Sequence, residues 1–211
     1  DIRRIPGISD DISMKKAWSM MAELNAVTLP IVDGDNMFDG IITINDIATS
    51  YMENQDSTII AQAKTPYRNI LETLEAEMVV GDPEAVFEKG NVLISAADPD
   101  VMENYIEQSD MVITGNRYES QLSAIESGAG CIVVCLGAPV SRSIQKLANS
   151  HGCTVIITPL DTYTVARRIN RCMPVRAFMR REGLVKFLPG DYTDSIKDGM
   201  QNTRIRDFQI G

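Results

Sequence analysis

The sequence predicts an α/β protein in which a mostly parallel sheet is inserted between two similar αβ halves. Short apolar runs alternate with helical patterns between residues 69 and 170, which is typical of a covered parallel sheet. The order strand, helix, strand, strand, helix fits residues 5–53. A strand that ends in Pro-Gly at residues 4–7 has a counterpart at residues 187–190, which indicates a repeated unit.

The first half begins with a short strand at residues 5–8, followed by a helix over residues 10–25. Asp10, Asp11 or Ser13 is expected near the start of this helix, because their side chains accept hydrogen bonds from unpaired amides. Strands are predicted at residues 26–33 and 40–43, separated by the turn 34–36. One apolar helix face is expected to pack in a core or a dimer seam: Met14, Ala17, Trp18 and Met21.

The octet at residues 40–47, Gly-Ile-Ile-Thr-Ile-Asn-Asp-Ile, carries the strongest chemical signal. Thr43 and Asp46 lie three residues apart where a strand gives way to a helix. A phosphate is expected to face the Thr43 hydroxyl and the first helix amides, because helix N-termini favour anions. Asp46 can accept hydrogen bonds from two sugar hydroxyls. The alternative is that Thr43 or Asn45 only caps the helix.

The octet and the preceding Leu-Pro-Ile-Val-Asp, residues 29–33, together resemble a CBS motif. CBS motifs take their name from cystathionine β-synthase and bind adenosine nucleotides as tandem pairs. The resemblance covers residues 1–53.

The middle of the chain resembles a DRTGG domain. Its strands are predicted at residues 78–81, 91–95, 111–114, 131–136 and 154–158. Its helices are predicted at residues 69–75, 98–108, 118–127, 141–149 and 162–170. The resemblance rests on this order and on the turn at residues 112–117, where Asn116 replaces the acidic residue of the family. Polar residues 54–68, with a short helical run at 59–63, are interpreted as a linker.

Composition favours a globular protein inside the cell. The chain has 44% hydrophobic residues and a net charge of −9, which disfavours binding to nucleic acid. No apolar run approaches the roughly 20 residues of a membrane helix, and no leader peptide is expected from the first residues. The chain starts at Asp1 rather than Met, so a fragment is expected. Four cysteines without Cys-x-x-Cys spacing are interpreted as core residues and favour the cytoplasm: Cys131, Cys135, Cys153 and Cys172.

No catalytic or metal-binding residue is predicted. The chain lacks a G-x-G-x-x-G turn after the first strand of the middle unit and lacks a P-loop. His151 is the single histidine and is expected in a surface turn. No isolated pair of carboxylates stands in an apolar context suited to acid–base chemistry.

The C-terminal part is expected to be an incomplete second CBS motif. Residues 173–181 resemble its lead-in, residues 187–190 its first strand, 192–202 a helix, and 203–208 the following strand. Three domains are therefore predicted. Residues 1–66 form the first CBS motif with its linker, residues 67–172 form the DRTGG-like domain, and residues 173–211 form the incomplete second CBS motif. Between Ala166 and Arg206 ten basic and four acidic residues give a local charge of +6, so a bound anion is expected to contact this segment.

A CBS pair interrupted by a DRTGG domain resembles the regulatory region of family II inorganic pyrophosphatases of anaerobic bacteria. The resemblance implies inhibition by AMP and ADP and activation by ATP or diadenosine polyphosphates such as diadenosine tetraphosphate. It implies a homodimer through the CBS motifs and the DRTGG domain, with catalytic domains of the parent chain that depend on Mn, Co or Mg. No nucleic acid, membrane or resident cofactor is expected as a partner of the fragment.

The expected nucleotide site combines both motifs. The backbone amides and carbonyls of the strand edge that runs from Ala26 to Leu29 would face adenine, with Asn25 and Thr28 nearby. Thr43 and the start of the following helix, which includes Asn45, would meet the α-phosphate, and Asp46 the ribose. Arg204 and Arg206, with Ile205 between them, would reach the phosphates. Two alternatives remain at this point. One is a dimerisation scaffold that binds no nucleotide, and the other is a small-molecule enzyme on the central α/β unit.

Overall fold

The computed structural model describes residues 5–52 and 56–181, which fold as α/β structure in two units. The first unit combines residues 5–52 with residues 174–181, and the second comprises residues 56–173. Residues 56–66, predicted as part of a linker, group with the second unit. There the Thr65 hydroxyl donates to the Ile60 carbonyl at 2.8 Å and holds the segment in place.

The first unit is built on a three-stranded sheet with two helices. Its elements are β1 (Ile8–Ser9), α1 (Met14–Leu24), β2 (Thr28–Val32), β3 (Phe38–Thr43) and α2 (Ile44–Met52). The strand order is β1-β2-β3, with β1 parallel and β3 antiparallel to β2. The core is formed by side chains of β1, both helices and the two longer strands: Ile8, Met14, Ala17, Met21, Leu29, Ile31, Ile42 and Ile47.

Of the three residues predicted near the start of α1, Ser13 is the N-cap, immediately before Met14. The Ser13 hydroxyl accepts from the Lys16 amide at 3.0 Å, which satisfies one of the unpaired donors of the first turn. The helix ends at Asn25, whose left-handed φ of 48° is one that asparagine tolerates well. On the predicted apolar face, Trp18 differs from its neighbours because its side chain is 46% exposed.

The chain returns to the first unit after residue 173 and runs along β3. A 3-10 helix at Val175–Ala177 precedes Arg180, whose backbone exchanges hydrogen bonds of 3.1 and 2.9 Å with Ile41. Gly40 permits this close approach, since a Cβ at that position would lie 2.8 Å from the Arg180 carbonyl oxygen. The predicted elements between residues 187 and 208 lie outside the described residues.

The second unit contains a five-stranded sheet and a two-stranded one. Its helices are α3 (Ile59–Gln62), α4 (Tyr67–Leu74), α5 (Pro99–Met102), α6 (Tyr118–Glu126), α7 (Arg142–His151) and α8 (Thr162–Arg168), followed by a 3-10 helix at Ile169–Cys172. Its strands are β4 (Thr65–Pro66), β5 (Glu77–Val80), β6 (Val86–Phe87), β7 (Val92–Ile94), β8 (Met111–Thr114), β9 (Cys131–Val134) and β10 (Thr154–Ile157).

The large sheet has the order β5-β10-β9-β8-β7 and is parallel except for β5, which is antiparallel at one edge. The central strands β8 and β9 are buried at every position, as their continuously apolar sequences predict. The prediction of a mostly parallel sheet in an α/β fold is therefore confirmed. The short antiparallel pair β4 and β6 was not predicted, because two-residue strands carry too little pattern.

The predicted helix at residues 98–108 is much shorter in the structure, where α5 spans only Pro99–Met102. The buried carboxylate of Asp110 explains the early end. It accepts from the amide of Glu107 at 2.8 Å and from the amide of Asn91 at 2.7 Å, so it holds the chain in a turn ahead of β8.

Within residues 5–52 and 56–181, every helix is too short or too polar to cross a lipid bilayer.

Candidate functional site

A cavity of about 440 Å³ lies in the first unit where β2 begins, β3 ends and α2 begins. Thr28 and Thr43 are directly opposite each other in the antiparallel pair, which brings the two strand ends together. The Ile44 amide donates to the Val27 carbonyl at 2.9 Å and fixes the first turn of α2 against the start of β2. The described lining is Val27, Thr28, Ile41, Thr43, Ile44, Asn45 and Arg180.

Thr43 and Asp46 cap α2 reciprocally. The Thr43 hydroxyl oxygen accepts from the Asp46 amide at 3.2 Å. In return, the Oδ2 atom of Asp46 accepts from the Thr43 amide at 2.9 Å and from the Thr43 hydroxyl at 2.7 Å. This arrangement is a capping box with a carboxylate at the third helical position, and it fixes both side chains beside the cavity.

The other carboxylate oxygen of Asp46 is bound by Arg180. Both the Nε and Nη2 atoms of Arg180 lie 2.6 Å from Oδ1 of Asp46. The Asp46 side chain is only 7% exposed, whereas that of Arg180 is 56% exposed. Arg180 therefore brings a positive charge from a segment 134 residues away to the side of the cavity.

The cavity brings together part of the predicted nucleotide site. Thr28, Thr43 and Asn45 line it, and Asp46 is bonded to two of its lining residues, Thr43 and Arg180. Asn25 and Ala26 come just before the lining residue Val27 and are not among the described lining. The predicted phosphate ligands Arg204, Ile205 and Arg206 lie outside the described residues.

The predicted contact between a phosphate and the Thr43 hydroxyl competes with the cap. The hydroxyl hydrogen of Thr43 already points to Asp46, and two of the first three amides of α2 are bonded to Val27 and Thr43. The capping alternative is thus what the structure displays. The cap is compatible with a nucleotide site, because it uses only Oδ2 of Asp46. The other oxygen, Oδ1, faces Arg180.

The sequence did not predict a side-chain role at the site for four lining residues: Val27, Ile41, Ile44 and Arg180. The first three are next to or near predicted ligands in the sequence, and their apolar side chains predicted only a place in the core or in a strand. Val27 is nevertheless exposed and offers an apolar surface at the cavity. For Arg180 the sequence offered only the local excess of basic residues, because no residue near it in the sequence indicates Asp46 as its partner.

The thiols of the second unit are buried and unsuited to nucleophilic chemistry. Burial raises the pKa of Cys153 to about 12 and raises the pKa of Cys131 and Cys172 as well, so the reactive thiolate is disfavoured. All four cysteines are free and buried. His151 is exposed at the end of α7, with Nδ1 3.0 Å from the Leu147 carbonyl oxygen. Across the described part of the chain, no three side chains of the usual metal ligands come together.

Comparison with protein families identifies both predicted modules. The CBS domain model matches residues 1–53, and the DRTGG domain model matches residues 69–172. The two matches agree with the resemblances predicted for these parts of the sequence.

Two curated relatives match nearly the whole chain. A cobalt-dependent inorganic pyrophosphatase of Clostridium perfringens is 31% identical over 210 residues. A probable manganese-dependent inorganic pyrophosphatase of Thermotoga maritima is 24% identical over 199 residues. The chain spans only 38% and 36% of the lengths of these two relatives, so it corresponds to one part of each.

A solved structure shows which part this is. The crystal structure of the CBS and DRTGG domains of the regulatory region of the Clostridium perfringens pyrophosphatase, complexed with the activator diadenosine tetraphosphate, superposes with a TM-score of 0.84. It is 31% identical, and the match covers 97% of this chain and 89% of that one. The prediction of a regulatory rather than a catalytic fragment is therefore confirmed. The chain belongs to the family of CBS and DRTGG regulatory regions of inorganic pyrophosphatases.

Proposed function

We propose that this chain binds adenine nucleotides in the cavity of its CBS motif and thereby regulates a pyrophosphate-hydrolysing enzyme. One observation carries the proposal: a buried carboxylate, Asp46, and a half-exposed cation, Arg180, meet at a cavity bordered by strand ends and a helix start. The carboxylate can accept hydrogen bonds from the ribose hydroxyls of a nucleotide, and the guanidinium can donate hydrogen bonds to its phosphates. The related regulatory region that was crystallised with diadenosine tetraphosphate supports the proposal.

The proposed orientation follows from the polarity of the lining. Adenine lies against Val27 and Ile41, where apolar side chains and the Thr28 hydroxyl meet. The ribose hydroxyls bond to Asp46, and the phosphates approach Arg180. Arg204 and Arg206 of the second motif are proposed to add further phosphate contacts, since arginine holds phosphate oxygens with two parallel donors.

The proposed regulation includes both inhibition and activation of the enzyme. AMP and ADP inhibit, while ATP or diadenosine tetraphosphate activates, which requires that the ligands favour different arrangements of the protein. A dinucleotide that spans two sites gains from the effective concentration of its second half. The proposed assembly is a homodimer joined to catalytic domains that use Mn, Co or Mg, in the cytoplasm.

A thermal-shift screen of the full chain with AMP, ATP, diadenosine tetraphosphate and NAD tests the proposal. A nucleotide at 100 times its Kd stabilises by about 2.7 kcal/mol, and this raises the melting temperature measurably. Asp46→Asn retains an acceptor for the helix cap but removes the charge, so it is expected to fold and to lose most of the shift. Asp35→Asn, at an exposed turn of the same unit, is the matched control.

A response to adenine nucleotides that Asp46→Asn abolishes and Asp35→Asn retains supports the proposal. No response of the folded wild-type chain to any adenine nucleotide overturns it and favours the dimerisation scaffold. Regulation itself is read from the pyrophosphatase activity of the full-length enzyme with and without each nucleotide.

A further inference from the structure

We propose that Arg180 sets the ligand class of the cavity: it holds the ribose-binding carboxylate and releases it only to ligands that carry a phosphate. The inference rests on the proposed function and deepens it. Its result is that the chain selects nucleotides over nucleosides. It depends on how the two oxygens of Asp46 are used.

One oxygen of Asp46 is committed to the fold. Oδ2 accepts from both the amide and the hydroxyl of Thr43, at 2.9 and 2.7 Å. These bonds close the first turn of α2, and Asp46 is too deeply buried to turn away from them. A carboxylate oxygen accepts about two hydrogen bonds, so Oδ2 has none left for a sugar.

The other oxygen is fully used by Arg180. Nε and Nη2 both lie 2.6 Å from Oδ1, which fills the acceptor capacity of that atom. A ribose diol can therefore bond to Asp46 only by displacing the guanidinium. The displacement is feasible because the side chain of Arg180 is more than half exposed, while its backbone stays paired with Ile41.

The displaced guanidinium needs an anion. Among the described lining residues Arg180 is the one charged side chain, and Thr28, Thr43 and Asn45 provide only neutral polar groups. A phosphate attached to the bound ribose takes the guanidinium from Asp46 in a charge-assisted hydrogen bond. A nucleoside has no such group, so its ribose competes with Arg180 without compensation.

The test compares AMP with adenosine by isothermal titration calorimetry on the full chain. The variant Arg180→Met keeps the backbone pairing with Ile41 and an unbranched apolar side chain. We expect the preference for AMP over adenosine to fall about tenfold, the effect of losing the one charge-assisted hydrogen bond that only AMP can form. Adenosine is expected to bind more tightly than to the wild type, because Oδ1 of Asp46 is then open.

Arg181→Met is the matched control. Arg181 is adjacent and equally charged, but its guanidinium pairs with Asp39 at 3.0 and 3.1 Å and is not among the described lining. We expect both affinities to stay close to those of the wild type, because the removed charge is the same and only the position differs.

Tighter binding of adenosine together with a smaller preference for AMP supports the inference, because a residue that merely shaped the site would weaken both ligands together. Equal losses for AMP and adenosine, or an unchanged ratio in Arg180→Met, overturn it. Wild-type protein that binds neither ligand overturns the proposed function itself, which is a different result.

Discussion

The substitution Thr43→Val isolates the capping role of Thr43 from its position in β3. Valine has the same shape and favours strands, but it lacks the hydroxyl that donates to Asp46 at 2.7 Å and accepts from the Asp46 amide at 3.2 Å. Loss of such a cap costs about 1 kcal/mol of helix stability. The opening equilibrium of α2 should therefore rise about fivefold.

Amide hydrogen exchange of residues 44–52 measures this change directly. We expect exchange there to become about fivefold faster in Thr43→Val, with little effect on the second unit. Thr49→Val makes the same chemical change at an exposed position of α2 and should leave the exchange rates near those of the wild type. Unchanged protection in Thr43→Val, or equal effects of both variants, would refute the assignment of the cap.

Three further substitutions test other contacts of the fold. Gly40→Ala should lower the free energy of unfolding by roughly 1–3 kcal/mol in urea denaturation, because its Cβ would lie 2.8 Å from the carbonyl oxygen of Arg180. Asp110→Ala should lower the free energy of unfolding by roughly 1.5–3 kcal/mol for each of the part-buried hydrogen bonds from the Asn91 and Glu107 amides that it removes, read from thermal unfolding. The raised pKa of Cys153, about 12, keeps its proton on the folded chain while the unfolded chain loses it near pH 9. Stability should therefore fall as pH rises from about 9 toward 12, and Cys153→Ala should reduce the slope.

The glycine and aspartate variants each have a matched control. Gly34→Ala meets no atom within 4 Å and should leave stability unchanged, so equal effects at both glycines would contradict the close-approach argument. Glu107→Ala removes an exposed carboxylate near Asp110 and should have little effect. A stability profile between pH 9 and 12 that is identical with and without Cys153 would contradict the burial of its thiol.

The local parts of the fold could be predicted because their signals lie within short segments. Thr43 and Asp46 are three residues apart, and both the capping and the ligand interpretations follow from that spacing. The apolar face of α1 and the buried strands β8 and β9 likewise follow from periodicity and composition.

The remaining features depend on contacts between distant residues. The pairing of Arg180 with Asp46 joins positions 134 residues apart, and no periodicity links them. The early end of α5 depends on the carboxylate of Asp110, which comes after the helical pattern has run on to Gln108. The antiparallel direction of β5 is decided by its pairing with β10 and has no signal in its own four residues.

The proposed function requires an adenine nucleotide to occupy the cavity between β2, β3 and α2. A crystal structure of the chain grown with AMP would show whether it does. We expect density for AMP in this cavity, with a ribose hydroxyl within hydrogen-bond distance of Oδ1 of Asp46 and Arg180 turned to the phosphate. AMP bound elsewhere, or bound in the cavity with the pair of Arg180 and Asp46 intact, would contradict it.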